Sequence, residues 1–586
     1  MDTSQDISKR FWPIILAVMV AASIWASPFR YDYGNGGRYL TVVAQRMDPG
    51  LFPGDPVVAA LTRFDSLFYR VLPMVLSGPE NFESDLFKIF VGMKIALVLS
   101  LFWLVRTLTK EPLAAVLLLA WCSQGTSALL GGVALFANTA THGEVVLVLG
   151  ILAVFFAVQR RYWAFWSLIY LGLFIHSLMT VHLLACVFPV MLWSDPGGRT
   201  KLLIGLAGFS ICFLAYLHWM TPPSMSPEEV GIFIRAKGDM QHVSPRAQGA
   251  ADYLKFGLTL ALAVLGQRRW LSSQAASRLL IKFAICGAMI SFALGFAAVY
   301  GRSSSITQLQ PMRIFYWVTL FLEVIIAWAA GAALQARHPF AWAFLGVIVF
   351  AMTESLWADA LMVLAIAGVV LDPLRLQPSL HRLWVRVSAG LPWVFAVAAT
   401  ACALSGNRGP FQSLRDPWLM ALGLGVPLLG EFADFKGAMA VALVFGLCLC
   451  AAGIRIHHDW TVKKDSDLGR NNWLAACNWC RQNSAKDDLF LTPPAGDNFR
   501  LHALRSSIGE EMSALAWVAP RAFETNRNTA AKIGAGFKVG RWDLTFLRDI
   551  ARTNGAKFVL VDGPFIPSHQ AVFTAGGYSI HQVNDR

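Results

Sequence analysis

The residues best suited to chemistry in this chain are two aspartates near its start. Asp32, in Tyr31-Asp32-Tyr33-Gly34, and Asp55, in Leu51-Phe52-Pro53-Gly54-Asp55-Pro56, fall in a segment of mixed polarity, residues 28–87, that also carries Asp48 and Asp65. A carboxylate beside a membrane surface can take a proton from an acceptor hydroxyl, or hold a divalent cation against a phosphate. Asp32 is the first candidate because it follows an apolar run by only a few residues, which puts it near the level of a lipid phosphate. Asp55 is the second, on a Pro-Gly turn that fixes its backbone. Both residues also suit a plainer role, as solvated loop acids or as caps of helices at 36–48 and 57–72.

A second group gathers at the ends of later apolar runs. His142 and Glu144 sit in Asn138-Thr139-Ala140-Thr141-His142-Gly143-Glu144, and His176 and His182 flank a short turn between two runs. Ionisable groups near membrane depth are costly and tend to face a bundle interior or a wet cavity, so these four are candidate lining residues of one substrate cavity. They lack the i, i+4 spacing of helical metal ligands. Gln308-Leu309-Gln310-Pro311-Met312-Arg313 opens another run, with proline suitably placed at a helix start. Arg313 there can grip a phosphate with a two-pronged hydrogen bond or snorkel to headgroups, and Gln310 stands beside it. Arg235, Lys237, Arg500 and Arg505 are further cations that an anionic substrate could meet. Cys477-Asn478-Trp479-Cys480 has the C-x-x-C spacing without a preceding strand or a second pair, and Gly34-Asn35-Gly36-Gly37 is a turn rather than a phosphate loop.

These residues are set in a chain that is largely membrane. Of 586 residues, 56% are hydrophobic and 15% charged, and the mean hydropathy is +0.52, far from a soluble composition. The net charge of +13 does not mark a nucleic-acid binder. Its arginines and lysines punctuate apolar runs, at Lys9-Arg10, 106–110, Arg160-Arg161, 199–201, Arg268-Arg269 and 375–386, which is the positive-inside pattern. That pattern puts the N-terminus in the cytoplasm, with the first run retained as a signal anchor. Most of the nine cysteines are scattered through apolar runs as small hydrophobes rather than arranged as a disulfide framework.

Each crossing needs ~20 apolar residues. Spans are expected at 11–27, 88–108, 112–136, 144–159, 162–177, 180–194, 201–219, 252–267, 281–300, 313–335, 339–355, 358–371, 387–404, 417–431 and 436–454. Spans 162–177 and 180–194 form a tight hairpin with His176 to His182 at its outer tip. Beyond His457 the apolar runs shorten to strand length. Helices are expected at 473–482 and 543–553, with strands at 489–491, 557–562 and 578–583. The expected fold is therefore a multi-spanning α-helical membrane protein of about 13–15 transmembrane helices, residues 1–455, followed by a small periplasmic α/β domain, residues 456–586. An odd number of crossings puts that domain on the same side as the 28–87 loop.

Several segments together resemble a known group. Arg38-Tyr39-Leu40 through Asp55-Pro56, the turn from His176 to His182, and Gln308 to Arg313 are similar to segments of uncharacterised bacterial multi-spanning proteins. So is the tail, from Trp473 through Trp479-Cys480-Arg481-Gln482-Asn483-Ser484 and Asp488-Leu489-Phe490-Leu491-Thr492-Pro493-Pro494 to Phe499-Arg500 and Arg505-Ser506. That group is similar to the GT-C superfamily of polyprenyl-phosphate-dependent glycosyltransferases. The resemblance implies many spans, a large first outer loop bearing a catalytic acid, and a periplasmic C-terminal domain. Only Asp32 matches the position of the superfamily's catalytic acid, with Asp55 as a second acid from the same loop. The chain departs from the common pattern in having no adjacent acidic pair.

The function expected from this reading is transfer of a sugar from a polyprenyl-phosphate donor to an envelope acceptor at the bacterial inner membrane, on the periplasmic side. A divalent cation, Mg or Mn, is the candidate cofactor. Membrane lipid and a lipid-linked sugar are the expected partners, and nucleic acid is not. The alternatives are an envelope polysaccharide polymerase or ligase, a transporter or flippase, and a non-catalytic scaffold. The tail domain counts against the first. The absence of internal repeats and broken-helix pairs counts against the second.

Overall fold

In a bilayer every backbone N–H and C=O must be satisfied within its own segment, so the apolar runs fold as helices. A computed structural model describes residues 35–109 apart from 63–65, 139–336 apart from 221–224 and 239, 356–371, and 469–583 apart from 495–497, 511–512, 539–540 and 564–569, with scattered positions over 13–31, 114–130 and 344–347. The first loop contributes three short helices: α1 (Asn35–Met47), α2 (Pro56–Leu61) and α3 (Leu67–Val75). The expected helix over 57–72 is thus two. Thr62 ends α2, and the Ser66 hydroxyl accepts from Tyr69 N at the start of α3. The long helices follow: α4 (Phe82–Thr109), α5 (His142–Val158), the stretch Tyr162–Ser194, α8 (Arg199–Met220), the loop helix α9 (Pro227–Lys237), α10 (Ala250–Trp270), α11 (Ala275–Gly301), α12 (Phe315–Gln335) and α13 (Leu356–Leu371).

Among the described residues, five helical stretches are long and apolar enough to cross a membrane, and Tyr162–Ser194 is one of them. That stretch is two helices, because His176 has φ −153° and ψ 84°. We name the arm before His176 α6 and the arm after it α7. The Trp166 and Phe188 rings lie 6.2 Å apart. On a straight helix, twenty-two residues at ~1.5 Å per residue would separate them by about 33 Å. Gly172 lies so close to Thr180 that an added Cβ would be 2.8 Å from the hydroxyl. At the base, Arg160 pairs with Asp195 at 3.6 Å and Tyr162 OH donates to Asp195. The hairpin with His176 at its tip is therefore present. The expected spans at 339–355, 387–404, 417–431 and 436–454 lie wholly or largely outside the described residues, as do most of 11–27 and 112–136.

The C-terminal region is a small α/β domain. Residues 469–483 form α14, followed by β1 (Leu489–Leu491), α15 (Phe499–Ala503), β2 (Ser506–Ile508), α16 (Pro520–Gly534), the short pair β3 (Phe537–Lys538) and β4 (Arg541–Trp542), α17 (Leu544–Thr553), β5 (Phe558–Asp562), β6 (Phe573–Ala575) and β7 (Tyr578–Gln582). The main sheet has the order β2-β1-β5-β7-β6. Its β2, β1 and β5 are parallel, and β7 runs antiparallel to both β5 and β6. Alternation along β5 explains the two layers. Phe558 and Leu560 face α14 with Phe490 and Ile580, while Val559 and Val561 face α17 with Leu547 and Ile533. Cys477 and Cys480 are buried in the first layer, where burial holds both thiols well above their ordinary range.

This domain sits on the end of the bundle that carries the first loop. Leu501 and Leu504 pack with Leu40, Val43, Leu51 and Phe52 of the loop and with Phe90 of α4. A second seam joins α16 to α9: Arg521 pairs with Glu228 at 2.8 Å, and Phe233 meets Trp517 edge to face. We call this end the loop end. The chain is a multi-spanning helical membrane protein with a small α/β domain docked there.

Candidate functional site

Two clusters lie at the loop end, one between the tail and the first loop and one at the mouths of the spans. In the first, Asp55 stands immediately before α2. Its Oδ1 accepts from Val57 N at 2.9 Å and Val58 N at 3.2 Å, which is N-cap geometry. Its Oδ2 accepts from Arg500 Nε at 2.8 Å and Ser507 N at 3.4 Å. Arg500 also donates to Glu510 Oε2 at 2.7 Å and to the Ser507 carbonyl. All three charged side chains are buried. One guanidinium therefore serves two carboxylates, a single positive charge against two negative ones, and burial pushes the Glu510 carboxyl up, with the Asp55 charge acting in the same direction. Both oxygens of Asp55 are engaged, so what its bonds accomplish is the seating of the tail on the loop.

The other tail arginine singled out from sequence, Arg505, is likewise occupied. It donates to the carbonyls of Arg481 and Ser484 at 2.6 Å each and to Ser484 Oγ at 2.9 Å. These are the orphan acceptors at the C-terminal end of α14, so Arg505 closes that helix. Nearby, Lys486 pairs with Asp48 at 2.5 Å, and Tyr31 OH bonds His502 Nδ1 at 3.0 Å. Asp32 and Asp65 lie outside the described residues.

The second cluster is built from α3, α5, the hairpin tip and the turn before α12. Tyr69 of α3 is buried and its hydroxyl bonds His142 Nδ1 at 3.0 Å. Tyr39 of α1 stacks on Tyr69 at 4.7 Å. His142, at the start of α5, stacks on His176 with centroids 4.2 Å apart and planes at 22°. The Arg313 guanidinium is close enough for its charge to act on His142, His176 and His182. Burial holds the Tyr69 phenol well above its ordinary value, with the nearby Tyr39 as a second cause, so Tyr69 stays a neutral hydroxyl.

The Arg313 turn is fixed from three directions. His182 Nε2 bonds the Leu309 carbonyl at 2.8 Å, Ser291 Oγ donates to the Pro311 carbonyl at 2.8 Å, and Met312 N donates to the His242 carbonyl at 3.0 Å. One turn on, Trp317 Nε1 donates to the Met179 carbonyl at 3.0 Å and ties α12 to the hairpin. Gln310 is left-handed, at φ 46°. Arg313 Nε, Gln310 Oε1 and His182 Nδ1 are buried and take no protein partner among the described residues. Glu144 lies just below His142, paired at 3.0 Å with Lys94 of α4, with both side chains buried.

The structure thus joins His142, His176, His182, Gln310 and Arg313 in one polar cluster, with Glu144 paired beside it. Asp55, Arg500 and Arg505 belong to the seam between tail and loop. Sequence reading missed Lys94, which looks like an interruption in an apolar run, and Tyr39 and Tyr69, ordinary aromatics in a loop helix. An unpaired guanidinium Nε beside imidazoles and phenols can take an anionic oxygen together with neighbouring hydroxyls. Among the described residues no three His, Cys, Asp or Glu side chains are grouped to hold a metal ion. Asp55 and Asp48 are each engaged by a tail cation, Arg500 and Lys486.

Comparison with known proteins adds little about chemistry. Residues 471–509 match a family described as a domain of unknown function (DUF6798), a segment that runs from α14 through β2 and includes Arg500. No curated protein matches. Among solved structures, the crystal structure of the apo oligosaccharyltransferase of Archaeoglobus fulgidus aligns with 94% of this chain and 70% of its own, at 11% identity and a TM-score of 0.40. A likeness at that score says nothing of activity.

Proposed function

We propose that this protein is a membrane glycosyltransferase that takes a sugar from a polyprenyl-phosphate donor at the loop end of the bundle. The observation that carries the reading is the cluster at the span mouths. There a buried arginine Nε has no protein partner among the described residues, in the same cluster as the stacked pair of His142 and His176. Such a site suits a phosphate on a lipid chain.

In this reading Asp32 takes the proton from the acceptor hydroxyl as that oxygen bonds to the sugar's anomeric carbon. The bond from that carbon to the phosphate oxygen breaks, and the lipid phosphate leaves carrying the negative charge. Arg313 neutralises it and His176 donates a hydrogen bond to it, with Gln310, His142 and His182 shaping the pocket. Stabilising the leaving group matters as much as the base, because the transition state has oxocarbenium character. Asp55 and Arg500 set the loop and tail in register. The envelope acceptor and the periplasmic side belong to this proposal, with the bacterial inner membrane as the location.

The test is incubation of the purified protein in lipid with labelled polyprenyl-phosphate sugars. Release of free lipid phosphate with transfer of the label supports the reading. An intact labelled lipid that merely changes leaflet identifies a flippase instead, and no turnover with any donor leaves the chain a scaffold.

A further inference from the structure

The loop helix α3 presents an apolar face that the other described residues leave open. Leu67, Val71, Met74 and Val75 recur at i, i+4, i+7 and i+8, so they form one stripe. All four are exposed, Met74 at 82% and Val75 at 59%. The opposite face is buried through Tyr69 and Leu72. The helix has a single charged residue, Arg70, and basic residues are favoured at headgroup level.

The level of this stripe follows from its neighbours. Ser77, two residues beyond α3, donates its backbone N–H to Asp85 Oδ2 at 2.8 Å, which holds the end of α3 beside the first turn of α4. From that level α4 exposes Phe87 near its start and then Ile95, Leu99 and Trp103 along one face. At the far end, Trp103 stands near Phe155 and Phe156, on the side of the bundle where Trp163 and Trp193 are exposed beside the Arg160–Asp195 pair. Exposed tryptophans beside basic residues mark a membrane boundary. The sixteen residues from Phe87 to Trp103 rise about 24 Å, close to the ~30 Å of a hydrocarbon core. The α3 stripe therefore continues the lipid face of α4 at the other boundary.

We propose that α3 lies in the plane of the membrane at the loop end, with Leu67, Val71, Met74 and Val75 set among the lipid acyl chains. Continuity with the lipid-facing stripe of α4 selects lipid over a protein partner. The same helix carries Tyr69 on its inner face, so its seat on the bilayer sets the position of the His142 partner whatever reaction the cluster performs.

The test places p-benzoylphenylalanine at Met74, at Val75, at Leu99 as the lipid-facing reference and at Lys532 as the exposed tail reference. Each full-length protein is reconstituted in phosphatidylcholine–phosphatidylglycerol nanodiscs, irradiated, and its peptides are weighed. Positions 74 and 75 are expected to gain the mass of one phospholipid, as position 99 does and position 532 does not. Lipid adducts at 99 but not at 74 or 75 would overturn the proposal. So would crosslinks from 74 or 75 to a second copy of the chain.

Discussion

Arg500 and Asp55, 445 positions apart in the chain, form a 2.8 Å ion pair in which both side chains are only 1% exposed. The pair joins the tail to the loop that precedes α2. Arg500→Met would strand Asp55 and Glu510 as buried carboxylates without a counter-charge. Breaking such a pair costs about 3–5 kcal/mol, whereas removing all the charges together can be nearly neutral. Arg500→Met alone should lower the thermal midpoint and make the tail protease-sensitive in the full-length protein. Asp55→Asn, Arg500→Met and Glu510→Gln combined should recover much of the loss. Equal loss in the single and triple variants would show that shape, not charge, seats the tail.

The same cluster predicts a pH effect. Burial chiefly, with the charge of Asp55, raises Glu510 from its ordinary 4.5. The folded protein therefore binds this proton more tightly than the unfolded chain does. The associated stability is fully present below pH 4.5 and is lost as pH rises through the raised value, each pH unit of that rise being worth up to about 1.4 kcal/mol. Glu510→Gln mimics the protonated acid. It should match the parent near pH 4.5 and equal or exceed it at pH 7 in a series of thermal midpoints. A variant markedly less stable than the parent at pH 7 would reverse the sign.

How much of this was legible in the sequence depends on range. The bilayer dictates the length and composition of a span, so α5 and α12 could be read within two residues and α4 within six. His176, the first of the polar residues from His176 to His182, marked the hairpin turn, while His182 lies within α7. In the tail, β5 announced itself as an apolar run, while β2, as Ser506-Ser507-Ile508, has no alternation to detect. Asp55 looked like a candidate acid because one chain cannot reveal that Arg500 caps it from the far end. Lys94 was hidden in the same way, since Glu144 lies 50 positions away. Pairing across the fold leaves no local signature, whereas span and turn chemistry does.

Tyr69 holds His142 from the lipid-side helix. Tyr69→Phe removes the hydroxyl and keeps the ring that stacks on Tyr39. The lost hydrogen bond is worth about 1 kcal/mol, so stability should change little while sugar transfer falls by roughly tenfold if the bond fixes the imidazole for chemistry. The pH profile of the remaining activity should not shift, because burial keeps the phenol neutral. Unchanged transfer in this variant would separate the aromatic cluster from the reaction.

Gly150 of α5 is where the cluster's frame is tightest. A Cβ there would lie 2.1 Å from the Trp317 ring, and Trp317 ties the hairpin to α12. Overpacking of this kind costs about 1–3 kcal/mol. Gly150→Ala should lower the thermal midpoint and weaken transfer together, without any change to a polar group. A fully stable Gly150→Ala protein would show that α5 and α12 can part at no cost.

Arg313 gives the sharpest distinction between charge and geometry at the cluster. Its Nε is buried without a protein partner among the described residues, while its turn is held by His182, Ser291 and the His242 carbonyl. A guanidinium offers two parallel donors to a phosphate, and an ammonium offers only a point charge. Arg313→Lys should therefore keep the fold and some transfer, with KM for the lipid-phosphate donor rising about tenfold, equal to about 1.4 kcal/mol. Arg313→Gln, which loses the charge as well, should lose kcat too, since leaving-group charge is then unmet in the transition state. If both variants turn over as the parent does, the phosphate is bound elsewhere and the proposed reaction centre at the span mouths is wrong.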